Sequence, residues 1–247
     1  MFMDRLKQAY ISYWDTELKN KSQFIHKEDN IFHDYFRKMP FVKLKQLLDK
    51  NDVDLTARTV LVAGCGKGTD VYYLKKFYRP KIHVCDIAEH AVRTTVASFE
   101  NIRGNVADIE ALPFEDDAFD YSFVAASLHH LSRPILGLYE LLRVAKFGTI
   151  VIEPNDSILT RIAVLLGCAH DVEESGNYVF RFGRKDVIKL TRSLFCDCAI
   201  TRFFAIHKIA ENELSFFLLK CLNGFANAIY PHWGNYIVFV IKKQQKT

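Results

Sequence analysis

The chain has 247 residues, of which 49% are hydrophobic and 25% charged, and a formal net charge of +4. That length is enough to bury one sizeable core, and the composition excludes a collagenous chain, a disordered chain or a small disulfide scaffold. The mild positive balance permits an anionic partner but lacks the concentrated Lys and Arg of a dedicated nucleic-acid binder.

The opening residues, MFMDRLKQAYISYWDTELKNKSQ, carry charges every few positions and do not read as a signal peptide. No run approaches the ~20 apolar residues of a membrane span, so no membrane partner is expected. The six cysteines show no paired CxxC spacing, which points to reduced thiols in a cytoplasmic protein. Cys196 and Cys198 resemble half a metal site without a second half, so no metal is expected.

Residues 1–55 read as an N-terminal helical cap. Tyr10, Tyr13 and Trp14 fall on one apolar face, and Ile31, Tyr35 and Met39 on a second. Pro40 suits the first turn of a further helix carrying Val42, Leu44, Leu47 and Leu48. From residue 56 onward short apolar runs alternate with helical stretches. Strands are predicted over 59–64, 81–86, 101–106, 119–127 and 148–154, with helices between them. Residues 155–183 contain the apolar run ILTRIAVLLGC and the polar run HDVEESGN, and read as a lid or insertion after the fifth strand. A helix (184–195), a strand near 199–206, a helix (211–228) and a last strand (235–243) complete the chain. This alternation predicts an α/β, Rossmann-like, doubly wound and mostly parallel seven-stranded sheet. The last helix, SFFLLKCLNGFANAIY, suits either an acceptor pocket or a second subunit, which leaves monomer and homodimer both open.

The stretch LVAGCGKGTD (61–70) runs from a strand through three alternate glycines into a helix. Such a turn gathers backbone N–H groups at a helix N-terminus, where an anionic group is favoured. Asp86 ends the next strand 20 residues after Gly66, where doubly wound sheets present a carboxylate to a ribose diol. An N-cap for the following helix explains the same residue. The GxGxG spacing, with Thr69 where a dehydrogenase fingerprint has its last glycine, fits a dinucleotide poorly. Lys67 is followed by glycine where a P-loop needs Ser or Thr, which rules out a P-loop.

VLVAGCGKG, VCD, DIEALPFEDDAFDYSFVAASLHHL and LLRVAKFGTIVIEP, in that order, resemble successive motifs of the class I S-adenosylmethionine-dependent methyltransferases, in the broad small-molecule (type 11-like) branch. The likeness covers roughly residues 57–155, with a weaker match over 180–195. It implies that backbone around Ala63, Gly64, Gly66 and Gly68 cradles the methionine part of S-adenosyl-L-methionine. It further implies that Asp86 takes the ribose hydroxyls, that Ile87 and Ile109 flank the adenine, and that Asp108 accepts from its amino group. Ser127 would line the pocket near the methyl group. The family usually places an acidic residue two positions before the first loop glycine to orient the methionine ammonium, and here that position is Val62. Asp70 is a candidate substitute, although a carboxylate is ordinary in the first turn of a helix.

Methyl transfer from a sulfonium needs alignment in a dry site, and a general base only where the acceptor must lose a proton. His129, beyond the fourth strand, is the candidate base, and a structural hydrogen bond explains it equally well. His170, Asp171, Glu173 and Glu174 form an acidic loop that a base or a metal could use, but a solvated loop is its ordinary reading. Three functions follow: methyl transfer to oxygen or nitrogen of a small organic acceptor, methyl transfer to RNA or protein, and cofactor binding by a degenerate relative.

Overall fold

The computed structural model describes residues 7–8, 11–16, 31–167, 169–172, 177–205 and 212–244, without the side chains of residues 31–34 and 36. Tyr10, Ile31, Cys168, Glu173 and Glu174 therefore lie outside the described side chains.

Strands β1 (Thr59–Ala63), β2 (Lys81–Asp86), β3 (Arg103–Val106), β4 (Phe119–Ala125), β5 (Ala145–Pro154), β6 (Cys196–Phe203) and β7 (Tyr236–Lys243) form one sheet in the order β3-β2-β1-β4-β5-β7-β6. The β1–β2, β1–β4, β2–β3 and β4–β5 pairs are parallel, and β7 runs antiparallel to both β5 and β6. The expected seven-stranded, mostly parallel sheet is what the chain forms. Strand β1 shows why the pattern is legible. Val60 and Val62 pack into the apolar layer on one face, Leu61 and Ala63 into the layer on the other, and all four are fully buried. A central parallel strand is covered on both sides and so reads as a continuous apolar run.

Helices α2 (Thr69–Phe77), α3 (Glu89–Ser98) and α4 (Pro134–Arg143) are the crossovers between parallel strands. Helix α5 (Ile158–Leu165) follows β5, α6 (Arg184–Ser193) precedes β6, and α7 (Glu213–Ile229) precedes β7. The segment between β5 and residue 183 leaves and rejoins the sheet at one point: the Phe182 N–H donates to the Pro154 carbonyl (3.0 Å) and the Asp156 N–H to the Phe182 carbonyl (3.2 Å).

One expectation needs correcting. Pro40 does not open a new helix but sits inside a single helix α1 (Ile31–Lys50). A proline there loses a ladder hydrogen bond and crowds the preceding turn, at roughly 3 kcal/mol. Phe41, Leu44, Leu47 and Leu48 beyond it are all buried, each contributing ~1.5–3 kcal/mol, which outweighs that loss. Before the proline, Tyr35 meets Phe216 of α7 edge-on (ring centroids 5.4 Å apart). The opposite side of α7 faces solvent, with Phe217 60% and Phe225 62% exposed. Among the described residues no helix is long and apolar enough to cross a membrane.

Candidate active site

Strand order reverses between β1 and β4, and at that switch point the loops after the strands' C-terminal ends leave a crevice. A cavity of about 430 Å³ occupies it, a size suited to a small molecule. Gly64 to Gly66 after β1, Asp86 and Ile87 after β2, Asp108 to Glu110 after β3, and Ala125 to Ser127 at the end of β4 form its walls. Lys7 and Trp14 close one side from the N-terminal segment.

The three loop glycines have positive φ (66°, 45° and 79°), yet they serve different ends. A side chain on Gly64 would meet Ser127 Oγ at 2.2 Å, and one on Gly68 would meet Phe99 Cε2 at 2.8 Å. A Cβ on Gly66 would meet nothing within 4 Å, so its missing side chain leaves open space on the cavity wall. The loop is held by the Gly68 N–H on the Cys65 carbonyl (2.8 Å), the Cys65 N–H on the Cys85 carbonyl (3.1 Å) and the Thr95 hydroxyl on the Gly66 carbonyl (3.2 Å).

Asp86 ties the first two strand ends together. One carboxylate oxygen accepts from the Gly66 N–H and the other from the Ala88 N–H, each at 2.9 Å. Burial raises its pKa, and the N–H groups of Ala88, Gly66 and Ile87 act against that rise. Each oxygen keeps a further acceptor position. Asp108 pairs with Lys7 and accepts from the Glu110 N–H (2.9 Å). Glu110 is held by Arg133 through its backbone N–H (2.6 Å), Nε (2.9 Å) and Nη2 (2.8 Å). Asp70, in the first turn of α2, also lines the cavity, and burial followed by the nearby Glu153 charge pushes its pKa up to about 7.

Of the residues expected to form a site, Gly64, Gly66, Asp86, Ile87, Asp108, Ile109 and Ser127 share this one cavity. Ala63 is fully buried in the sheet, Gly68 caps α2, and neither stands on the wall. His129 is not on the wall either. Its ring is buried, and Nδ1 lies 2.6 Å from Glu153 Oε2. Its neighbour His130 lines the cavity, packs against Trp14 (centroids 5.1 Å) and His129 (3.9 Å), and has a pKa lowered to about 3 by burial and then by His129. In the acidic loop, Asp171 is paired with Arg181 and accepts from the Tyr178 hydroxyl (3.0 Å). Among the described residues, no three His, Cys, Asp or Glu side chains group as a metal site.

Two contributors escape sequence reasoning. Glu153 is a carboxylate inside the apolar run GTIVIEP, and that misplacement was its only signal. Lys7 bears no mark at all, since its contact with Asp108 spans 101 residues. A second cavity of about 730 Å³ adjoins the first, sharing Leu131, Ser132 and Asn177 with it, and is walled mainly by residues between Asp156 and Arg181.

Residues 60–148 match the family described as Methyltransferase domain. Over that segment the chain is similar to a methyltransferase domain. A Mus musculus protein, the mitochondrial arginine-hydroxylase NDUFAF5, is 29% identical over 121 residues, covering 48% of this chain and 35% of that protein. The match thus spans about a third of that curated relative. Among solved structures, magnesium protoporphyrin IX methyltransferase from Synechocystis PCC 6803, with bound SAH, superposes with TM-score 0.58 at 14% identity and covers 90% of each chain. A possible histamine N-methyltransferase from Thermotoga maritima superposes with TM-score 0.58 at 15% identity, covering 85% of this chain and 93% of that one. At such identities these two establish the shared methyltransferase fold, within which the glycine loop, Asp86 and Asp108 occupy the ends of β1, β2 and β3.

Proposed function

We propose that the protein uses S-adenosyl-L-methionine to methylate an oxygen or nitrogen of a small organic molecule. The observation that carries this reading is the cradle between β1 and β2: Gly66 leaves bare backbone facing the cavity, and its N–H is fixed by Asp86. Bare backbone suits the close approach of the cofactor's amino-acid end. The spare acceptor positions on Asp86 suit two ribose hydroxyls. Ile87 and Ile109 offer apolar contact to an adenine, and Asp108 an acceptor for its amino group. The donor and acceptor set on the walls therefore fits the cofactor.

When bound, the cofactor supplies a methyl group already activated on a sulfonium. What remains for the chain is to align the acceptor and keep water out. The adjoining cavity supports a small acceptor with an apolar body, since Val164, Leu165, Val179 and Phe180 line it and its Asp156–Arg161 and Asp171–Arg181 pairs are internally balanced. His129, turned into Glu153, positions the turn that carries Ser127 and His130. The unpaired cysteines among the described residues suit a reducing compartment such as the cytoplasm.

The test is a titration of the purified protein with S-adenosylhomocysteine. At a hundredfold excess over the dissociation constant, stability should rise by about 2.7 kcal/mol, or roughly 5–10 °C in Tm. No shift at millimolar ligand would refute the reading. The match to an arginine-hydroxylase supports a second reading, a different reaction at the same cradle, which would appear as binding without methyl transfer to any acceptor tried.

A further inference from the structure

Four carboxylates line the cleft above the glycine loop: Asp70, Asp86, Asp108 and Glu110. Three are engaged. Asp86 holds two backbone N–H groups, Asp108 holds Lys7 and the Glu110 N–H, and Glu110 holds Arg133. Asp70 differs, because among the described residues it accepts no hydrogen bond and pairs with no cation. Its surroundings make it costly to ionise. It is partly buried, and the nearby Glu153 is itself fully buried and spent on the Ser127 and Leu128 N–H groups and on His129. An unpaired carboxylate in such a place destabilises the fold unless a cation meets it.

The cofactor proposed above brings such a cation. Its amino-acid end carries an ammonium beside a carboxylate, and a backbone N–H, being a donor, cannot partner the ammonium. The position from which related chains supply an acidic partner is Val62, a fully buried member of the sheet core that faces no cavity. We propose that Asp70 is the residue that binds the cofactor's α-ammonium, replacing from the first turn of α2 the carboxylate that β1 lacks. The inference rests on the reading of the cavity as an S-adenosylmethionine site.

Among the described residues no group engages either oxygen of Asp70, so both can take charge-assisted hydrogen bonds, which are stronger than neutral ones. The arrangement also ties binding to protonation. The titratable and charged groups around this part of the cleft are Cys65 and Lys67 on the loop, Asp86 after β2, His129 and His130 in the turn after β4, and Glu153 at the end of β5, with Asp15 acting on Asp86 from the N-terminal segment. Of these, Glu153 is the one that acts on Asp70, raising the pH at which it ionises. An ammonium prefers the ionised carboxylate, so binding of the amino-acid end strengthens as pH rises through neutrality.

Two ligands isolate the effect. S-adenosylhomocysteine carries the ammonium, whereas 5′-methylthioadenosine keeps the adenosine and the sulfur but lacks the amino-acid end. By calorimetry, Asp70→Asn should weaken S-adenosylhomocysteine at least about tenfold and leave 5′-methylthioadenosine within about twofold, the size expected for one hydrogen-bonded charge pair. Asp70→Glu should recover part of the loss. The parent should bind S-adenosylhomocysteine more tightly at pH 8 than at pH 6, and Asp70→Asn should flatten that dependence. Unchanged S-adenosylhomocysteine affinity in Asp70→Asn, or equal loss for both ligands, overturns the assignment. A parent that binds neither ligand removes the cofactor-site reading, and the role of Asp70 with it.

Discussion

Glu153 and His129 form a buried pair, with Oε2 2.6 Å from Nδ1, while the other carboxylate oxygen accepts the N–H groups of Ser127 (2.9 Å) and Leu128 (2.7 Å). The end of β5 thus fixes the turn after β4, on which Ser127 and His130 reach the cavity. Replacing Glu153 by Gln removes the charge and turns one acceptor into a donor. Breaking such a pair leaves buried groups unsatisfied, and a loss of about 3 kcal/mol is expected in denaturant unfolding. A loss below about 1 kcal/mol would mean the turn holds itself.

The loop glycines separate folding from binding. Gly64→Ala places a methyl group on Ser127 and forces a left-handed backbone on an L-residue, so it should destabilise the fold by more than ~2 kcal/mol. Gly66→Ala meets nothing within 4 Å and should cost only the backbone term of ~1–2 kcal/mol. Its methyl group, however, projects into the space proposed for the cofactor, so affinity for S-adenosylhomocysteine should fall at least about tenfold. Paired unfolding and binding measurements check both halves, and the opposite ranking would reverse the roles assigned to the two residues.

How much of this was legible from residues alone depends on whether a feature is local. The loop glycines, Asp86 and Asp108 follow strand ends whose two-faced burial shows in the apolar runs, so their convergence could be read from order and spacing. The Pro40 helix could not, because a proline reads as a boundary until the packing of Phe41 and Leu44 is known. Nor could His129 be told from His130. Both sit in the 3₁₀ turn Leu128–His130, where successive side chains point ~120° apart, so one ring faces Glu153 and the other the cavity.

That difference makes a spectroscopic prediction. With its pKa lowered to about 3 by burial and by His129, His130 stays neutral across the range in which an exposed histidine titrates. Its ring proton shifts should be flat between pH 5 and 8, whereas an ordinary histidine inflects near 6.5. An inflection assigned to His130 in that window would show that water reaches the ring and that the Trp14 contact does not shield it.

Asp70 yields the last prediction, on stability without ligand. Its pKa in the folded protein is raised to about 7, above the usual carboxylate range. A raised value means that the folded state holds the proton more tightly than the unfolded chain does. The associated stability is complete below the unfolded pKa near 4 and is lost as pH rises through 7. Three units would correspond to about 4 kcal/mol, and the partial exposure of the side chain reduces this to about 2 kcal/mol. Asp70→Asn carries no charge at any pH and should escape the loss. The variant is therefore expected to match the parent near pH 4.5 and to exceed it by about 2 kcal/mol at pH 8 in urea unfolding, while gaining less from added S-adenosylhomocysteine. A residue that weakens the empty protein and strengthens the liganded one is shaped by binding. Parent and variant with equal stability at pH 8 would show that Asp70 ionises without strain and would remove the physical reason for a cationic partner.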